Sequence, residues 1–295
     1  MPIFGRVLTA MATPFTPDRA LDLDGAQRLA THLVEHGSDG LVVAGTTGES
    51  PTLSHDETLD LFSAVVEAVG DRATIVAGVG KNDTAATAAL AKEAAGRGVD
   101  GLLVVTPYYN KPSQRGLVAH FATVAEAVDL PVLLYNIPAR TAREIAPETL
   151  LTLAESVENI KGVKDAVGDF TKAGWLIARK PDDFDVLAGD DAATLPLLAV
   201  GGVGVVGVSS HLVGTEMATM IDCFATNPGK ARDIHLRILP LMTTLMTADP
   251  SPGPLKAALR QLGLPGGPVR LPLVDADDAV DAAVADALAA AGVTR

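Results

Sequence analysis

A single cysteine, Cys223, stands in 295 residues, so no intrachain disulfide is possible and a reducing compartment is expected. Basic residues are in the minority: 23 Lys and Arg against 36 Asp and Glu give a formal net charge of −13. That balance argues against nucleic acid or an anionic membrane surface as a partner, while leaving room for a local cationic pocket that takes a small anion. No apolar run approaches the ~20 residues of a membrane span. The opening "MPIFGRVLTAMATPF" carries one arginine and is broken by prolines, so no signal peptide is expected and the cytoplasm is the expected location. There is no G-x-S-x-G and no H-E-x-x-H, and "GVGK" (78–81) is followed by Asn82 rather than by the Ser or Thr of a P-loop. "HLVEH" (32–36) matches H-x-x-E-H. However, His32 and Glu35 point away from the apolar face formed by Ala26, Leu29, Ala30 and Leu33, and a third ligand is missing. "GVGVVG" (202–207) matches G-x-G-x-x-G but reads as a strand in itself, not as the turn between a strand and a helix.

Apolar residues make up 48% of the chain, enough for a globular core. Eight short β-rich runs recur: 6–13, 40–45, 73–79, 101–107, 131–136, 160–164, 184–189 and 204–210. Longer amphipathic stretches such as "LDGAQRLATHLVEHG" and "DTAATAALAKEAAGRG" lie between them. The strand runs are continuously apolar, as expected of a sheet covered on both faces. Eight such strands alternating with helices predict an α/β fold, a (β/α)8 TIM barrel, ahead of an open doubly wound sheet. From about residue 227 the pattern becomes purely helical. The expected organisation is therefore a catalytic barrel over 1–226 and a C-terminal helical appendage over 227–295.

Barrel enzymes carry their chemistry at the C-terminal ends of the strands. Collected there are Thr46, Thr47 and Glu49 of "GTTGES", Tyr108 and Tyr109 of "TPYYNKP", and Tyr135 and Arg140 of "YNIPART". Lys164 closes the sixth strand and Gly189 lies in "AGDD" after the seventh. These are hydroxyls, phenols, one arginine and one lysine, and no carboxylate cluster suited to a metal. "ENIKGVKDAVGD" (158–169) holds two lysines, and strand alternation separates them. Ile160, Gly162 and Lys164 are expected on the inner face, Lys161 and Val163 on the outer. A lysine in a low-dielectric pocket loses proton affinity and becomes a nucleophilic amine able to form a Schiff base with a carbonyl substrate. Tyrosine and threonine hydroxyls can carry the protons that such chemistry needs.

"GTTGES", "PYYNKP", "YNIPART", "GVKDAVGD" and "AGDD" occur together in an order and spacing that resembles the dihydrodipicolinate synthase and N-acetylneuraminate lyase superfamily. These are class I pyruvate-dependent lyases, and the resemblance runs through essentially the whole chain. Thr46–Thr47 and Arg140 resemble the dihydrodipicolinate synthase branch, since the sugar-acid lyases usually have Ser-Thr or Asn-Thr and lack the arginine. The resemblance implies a lyase that condenses pyruvate with L-aspartate 4-semialdehyde to 4-hydroxy-tetrahydrodipicolinate, on the route to lysine and diaminopimelate. It implies that Lys164 forms the Schiff base, that Tyr135 carries protons beside it, and that Thr46 links Tyr135 to a Tyr109 supplied by a neighbouring subunit. Thr46 and Thr47 would hold the pyruvate carboxylate, Arg140 that of the semialdehyde, and Gly189 and Val206 would contribute backbone groups near the substrate. No cofactor and no metal are implied beyond the covalent adduct, and the assembly implied is a homotetramer, a dimer of dimers. Feedback-sensitive relatives bind lysine in a cleft that maps onto Pro51, His55, Thr58, Asn82, Ala86 and Tyr108. They usually carry histidine in place of Thr58 and glutamate in place of Ala86, so weak or absent inhibition is expected. Ser251, in "DPSPGPLK", departs from the asparagine that members often have there. Two other readings stay open: a sibling aldolase, lyase or dehydratase acting on a sugar acid or another 2-oxo acid, and a non-catalytic paralogue that binds a small carboxylate.

Overall fold

Short Val-, Ile- and Leu-rich runs bounded by glycines and polar turns favour strands buried on both faces. In the computed structural model, which describes residues 2–294, eight of them form the barrel. They are β1 (Val7–Ala10), β2 (Gly40–Val43), β3 (Thr74–Gly78), β4 (Gly101–Val105), β5 (Val132–Asn136), β6 (Ile160–Asp165), β7 (Asp185–Ala188) and β8 (Gly204–Gly207). Each pairs in parallel with its sequence neighbours, and β8 returns to β1 through Leu8 and Val206. The chain is a (β/α)8 TIM barrel.

Helices cover the outside: α1 (Leu23–Glu35), α2 (His55–Val69), α3 (Thr84–Ala95), α4 (Gln114–Ala125), the one-turn α5 (Pro138–Thr141), α6 (Pro147–Ser156), α7 (Phe170–Ile177), α8 (Thr194–Ala199) and α9 (Ser210–Phe224). Then follow α10 (Pro228–Thr247), α11 (Gly253–Leu262) and α12 (Asp278–Ala291). α10 packs along both α9 and α12, and α11 against α12. Local sequence starts these helices: the Asp22 carboxylate accepts the Gly25 N–H at the head of α1, and Ser54 with Glu57 forms a capping box on α2. Such caps contribute about 1 kcal/mol each. Ala26, Leu29, Ala30 and Leu33 form the buried face of α1, as its spacing predicts, and truncating Leu29 to alanine removes on the order of 2–5 kcal/mol.

The barrel interior is a separate apolar cluster. Leu8, Val42, Val76, Leu103, Leu133, Leu187 and Val206 contribute one side chain from each strand except β6, above Phe4 at the bottom. β6 offers Gly162 instead, where a Cβ would come within 2.7 Å of the Asp185 carbonyl oxygen and 3.1 Å of Leu133 Cδ1. The missing side chain leaves the β6 position above the aliphatic layer to Lys164.

Two expectations are corrected here. Ile160 does not share the inner face with Gly162 and Lys164. It pairs with Val132 in the outer cluster, and the register then jumps from Val132–Ile160 to Leu133–Gly162, which leaves Lys161 as an extra residue in β6. A bulge breaks strict alternation at the start of the strand, and alternation resumes only from Gly162. The eighth strand ends at Gly207 rather than at residue 210, because Ser210 already opens α9.

Candidate active site

Lys164 sits one residue from the C-terminal end of β6, 5% exposed, with Tyr135 of β5 and Leu187 of β7 as its register partners. Its Nζ lies 4.3 Å from the centroid of the Tyr135 ring. Burial pushes the amine down to about 8; the Asp191 carboxylate opposes that shift and the Arg140 charge adds to it. Lys161 has the opposite surroundings. Its amine pairs with Asp183, more than half exposed, outside the barrel.

Tyr135 is itself 4% exposed, and burial pushes its phenol up to about 12, against the pull of Arg140 and the Thr46 hydroxyl. Its carbonyl oxygen accepts both the Thr106 N–H (2.9 Å) and the Thr106 hydroxyl (2.8 Å), so the end of β5 is fixed from β4. The loop after Tyr135 is tied to itself. Asn136 exchanges two hydrogen bonds with the Ile145 backbone, and Thr141 Oγ1 donates to Ile137 O at 3.0 Å. That frame holds Arg140 on α5, exposed at the mouth of the site, and no acidic side chain pairs with it among the described residues. It is a free cation placed for an anionic ligand.

Thr46 and Thr47 lie in the turn after β2, Thr47 buried and Thr46 half-buried. The turn is closed by the Glu49 N–H donating to Thr46 O at 3.1 Å, and from below by Thr13 Oγ1 donating to Gly48 O at 2.6 Å. The neighbouring Gly78 has to be a glycine: a Cβ there would meet the Ala44 carbonyl oxygen at 2.4 Å. Thr46 and Arg140 line a cleft of about 460 Å³ that extends past Tyr108 to His55 and Thr58.

The remaining expected residues divide. Val206 is fully buried in the barrel interior. Gly189 follows β7, and its N–H already donates to Asp165 O at 2.7 Å, so its carbonyl is the group left for a ligand. Tyr109 is not brought to its own chain's site. It is 88% exposed, in the left-handed region (φ 69°), and the cleft is lined by Tyr108 instead. Glu49 turns its carboxylate away from the site, into a contact with Lys256.

One buried acid went unread in the sequence. Asp191 is 1% exposed, raised by burial, and accepts the Val208 and Ser209 N–H groups and the Ser209 hydroxyl. It clamps the β8–α9 turn and opposes the depression of Lys164. "AGDD" displayed the residue, but nothing local distinguishes buried Asp191 from exposed Asp190.

A buried, deprotonatable amine beside a phenol that meets the Thr46 hydroxyl, and within the field of an unpaired guanidinium, suits covalent capture of a small oxo acid. The chain is similar over nearly its whole length to named proteins. A protein of Acidothermus cellulolyticus named 4-hydroxy-tetrahydrodipicolinate synthase is 56% identical over 99% of this chain and 94% of its own length. One of that name from Moorella thermoacetica is 53% identical over 98% and 99%. The crystal structure of the Cyanidioschyzon merolae dihydrodipicolinate synthase, solved with lysine bound, superposes with a TM-score of 0.97 at 44% identity, covering 100% of both chains. The family model described as the dihydrodipicolinate synthetase family matches residues 3–291, and with those identities over nearly the whole length the chain belongs to that family.

Proposed function

We propose that the protein condenses pyruvate with L-aspartate 4-semialdehyde to give 4-hydroxy-tetrahydrodipicolinate, through a Schiff base on Lys164. The observation that carries the reading is the buried Lys164 amine, lowered to about 8 and facing the Tyr135 ring. At neutral pH an appreciable fraction is the free amine, which attacks the C2 carbonyl of pyruvate and expels it as water. The protonated imine withdraws electrons, so a C3 proton is lost and the enamine carbon attacks the aldehyde. The amino group of the semialdehyde then displaces Lys164 and closes the ring, so that one water leaves overall.

Tyr135 carries protons in these steps, with Thr46 relaying them. Thr46 and Thr47 hold the pyruvate carboxylate through hydroxyl and backbone N–H groups. Arg140 takes the second carboxylate, and the backbone at Gly189 and Val206 bounds the substrate. The reaction needs no cofactor in this scheme. Tyr109, so exposed on its own chain, is the group we assign to a neighbouring subunit's site, within a homotetramer built as a dimer of dimers in the cytoplasm. Residues 227–295, which contain α10–α12, form the appendage to the catalytic barrel.

Borohydride reduction with pyruvate, followed by peptide mass mapping, tests the reading. It is expected to add the reduced pyruvate mass to Lys164 and to leave Lys161 unmodified. Label on Lys161, or none, overturns the mechanism. Turnover of pyruvate with a sugar aldehyde and none with aspartate semialdehyde would assign the sibling activity instead.

A further inference from the structure

The Thr46–Thr47 turn is anchored from far along the chain. Glu49 follows it with φ 55°, a left-handed conformation unfavourable for a residue with a side chain, so something must hold it there. Its carboxylate is held on both oxygens. Oε2 accepts the Arg270 N–H at 2.8 Å, and Oε1 lies 2.6 Å from Lys256 Nζ on α11. The two side chains of that ion pair are 2% (Lys256) and 1% (Glu49) exposed. Lys256 Nζ also donates to Pro268 O at 2.8 Å and rests 4.3 Å over the Phe15 ring. Arg270 adds a second tie: its guanidinium donates to Thr52 O, to Arg19 O and to both oxygens of Glu57.

A buried ion pair is a poor way to add stability, because desolvation offsets its attraction and an apolar pair of the same volume often does as well. What it adds is a fixed direction and distance between two backbones. One of those backbones belongs to α11. The other closes the turn that presents Thr46 and Thr47, since the Glu49 N–H donates to Thr46 O.

We propose that Lys256 and Glu49 act as a strut by which the C-terminal helical segment positions the Thr46–Thr47 turn, so that capture of the pyruvate carboxylate depends on α11. Both are positioning residues, and the inference rests on the function proposed above. It explains why a lysine on a helix outside the barrel is among the most deeply buried side chains of the molecule.

The test uses Lys256→Met, which keeps the apolar stem and removes the charge. The readouts are the pyruvate concentration that half-saturates borohydride trapping on Lys164, KM for each substrate, and thermal unfolding. Half-saturation and KM for pyruvate are expected to rise together by tenfold or more, with KM for aspartate semialdehyde changing less than twofold. Glu49→Gln keeps an acceptor for the Arg270 N–H and is expected to shift pyruvate in the same direction by a smaller factor, so the inference stays testable if Lys256→Met fails to fold. A folded variant with unchanged half-saturation, or one in which both KM values or kcat alone change, overturns the strut. Absence of any Lys164 adduct in the wild-type chain is a separate result, and it overturns the proposed function instead.

Discussion

Tyr135 and Lys164 face one another across the seam between β5 and β6, as direct register partners with the lysine Nζ 4.3 Å from the ring centroid. Neighbouring parallel strands thus bring a buried amine and a buried phenol together without help from a loop. Both sit above an aliphatic layer that excludes water, and burial drives their pKa values in opposite directions, down to about 8 and up to about 12. Each is thereby kept neutral in a wider pH range than in water, and both neutral forms are the ones the proposed chemistry starts from.

The lowered amine predicts a pH dependence. Only the neutral amine attacks, so at fixed pyruvate the rate of forming the trappable adduct is expected to rise about tenfold per pH unit below 8 and to level off above it. Rapid-quench borohydride trapping measures it. A rate still rising toward 10.5, the ordinary lysine value, would mean that burial does not depress Lys164.

The same shift is a stability penalty. Lys164 falls from 10.5 to about 8 on folding, which corresponds to about 3 kcal/mol against the folded state. Below pH 8 both states hold the proton and the penalty is complete. Between 8 and 10.5 only the unfolded state holds it, so the penalty shrinks as pH rises. Lys164→Met is therefore expected to unfold at higher temperature than wild type near pH 7, with the advantage fading toward pH 10.5, as well as being inactive. Calorimetry across that range decides it.

Arg140 is exposed and lacks a carboxylate partner among the described residues. Arg140→Ala is expected to raise KM for aspartate semialdehyde by about 10- to 100-fold, the size of a lost charge-assisted hydrogen bond, and to change KM for pyruvate far less. Steady-state kinetics with each substrate varied in turn make the comparison. An unchanged semialdehyde constant would return Arg140 to the loop surface and favour the sugar-acid alternative.

The outward Tyr109 predicts complementation. Lys164→Ala and Tyr109→Phe chains, each expected to be nearly inactive, are dissociated and reassembled together. In a mixed dimer the chain that keeps Lys164 receives an intact Tyr109 from its partner, so activity should rise well above the mean of the parents. Activity at the mean, with exchange verified by native mass spectrometry, would place Tyr109 in its own chain's site.

Lysine is expected to inhibit weakly or not at all at millimolar concentration. Alanine at 86 offers an α-ammonium group no anion, a loss on the order of 1.5–3 kcal/mol. The Thr58 hydroxyl is already used, donating to Ser54 O at 2.8 Å within its own helix. Initial rates titrated with lysine settle the point, and a sub-millimolar inhibition constant would contradict it.

Much of this architecture is encoded locally. The eight strand positions, the amphipathic face of α1 and the preference for Lys164 over Lys161 all follow from apolar spacing and from which end of a strand a residue occupies. Lys164 does lie inside and Lys161 outside, although one step of that reading fails: the bulge at Lys161 puts Ile160 outside the barrel. The inward placement of Gly162 and Lys164 was legible because alternation between them is a property of the strand itself.

Other features depend on partners remote in sequence. Glu49 looks like one more polar residue of "GTTGES" until Lys256 and Arg270 reach it from the C-terminal segment. Asp191 and Asp190 are adjacent and identical in type, yet only Asp191 meets the N–H groups that open α9. The sequence determined the strand pattern and which lysine stands at the inner end of β6, because periodicity and strand-end position are local. Tertiary structure decided which acids are buried, which way Tyr109 points and what holds the Thr46–Thr47 turn, because the free energy of a buried charge depends on the groups that closure of the barrel brings around it.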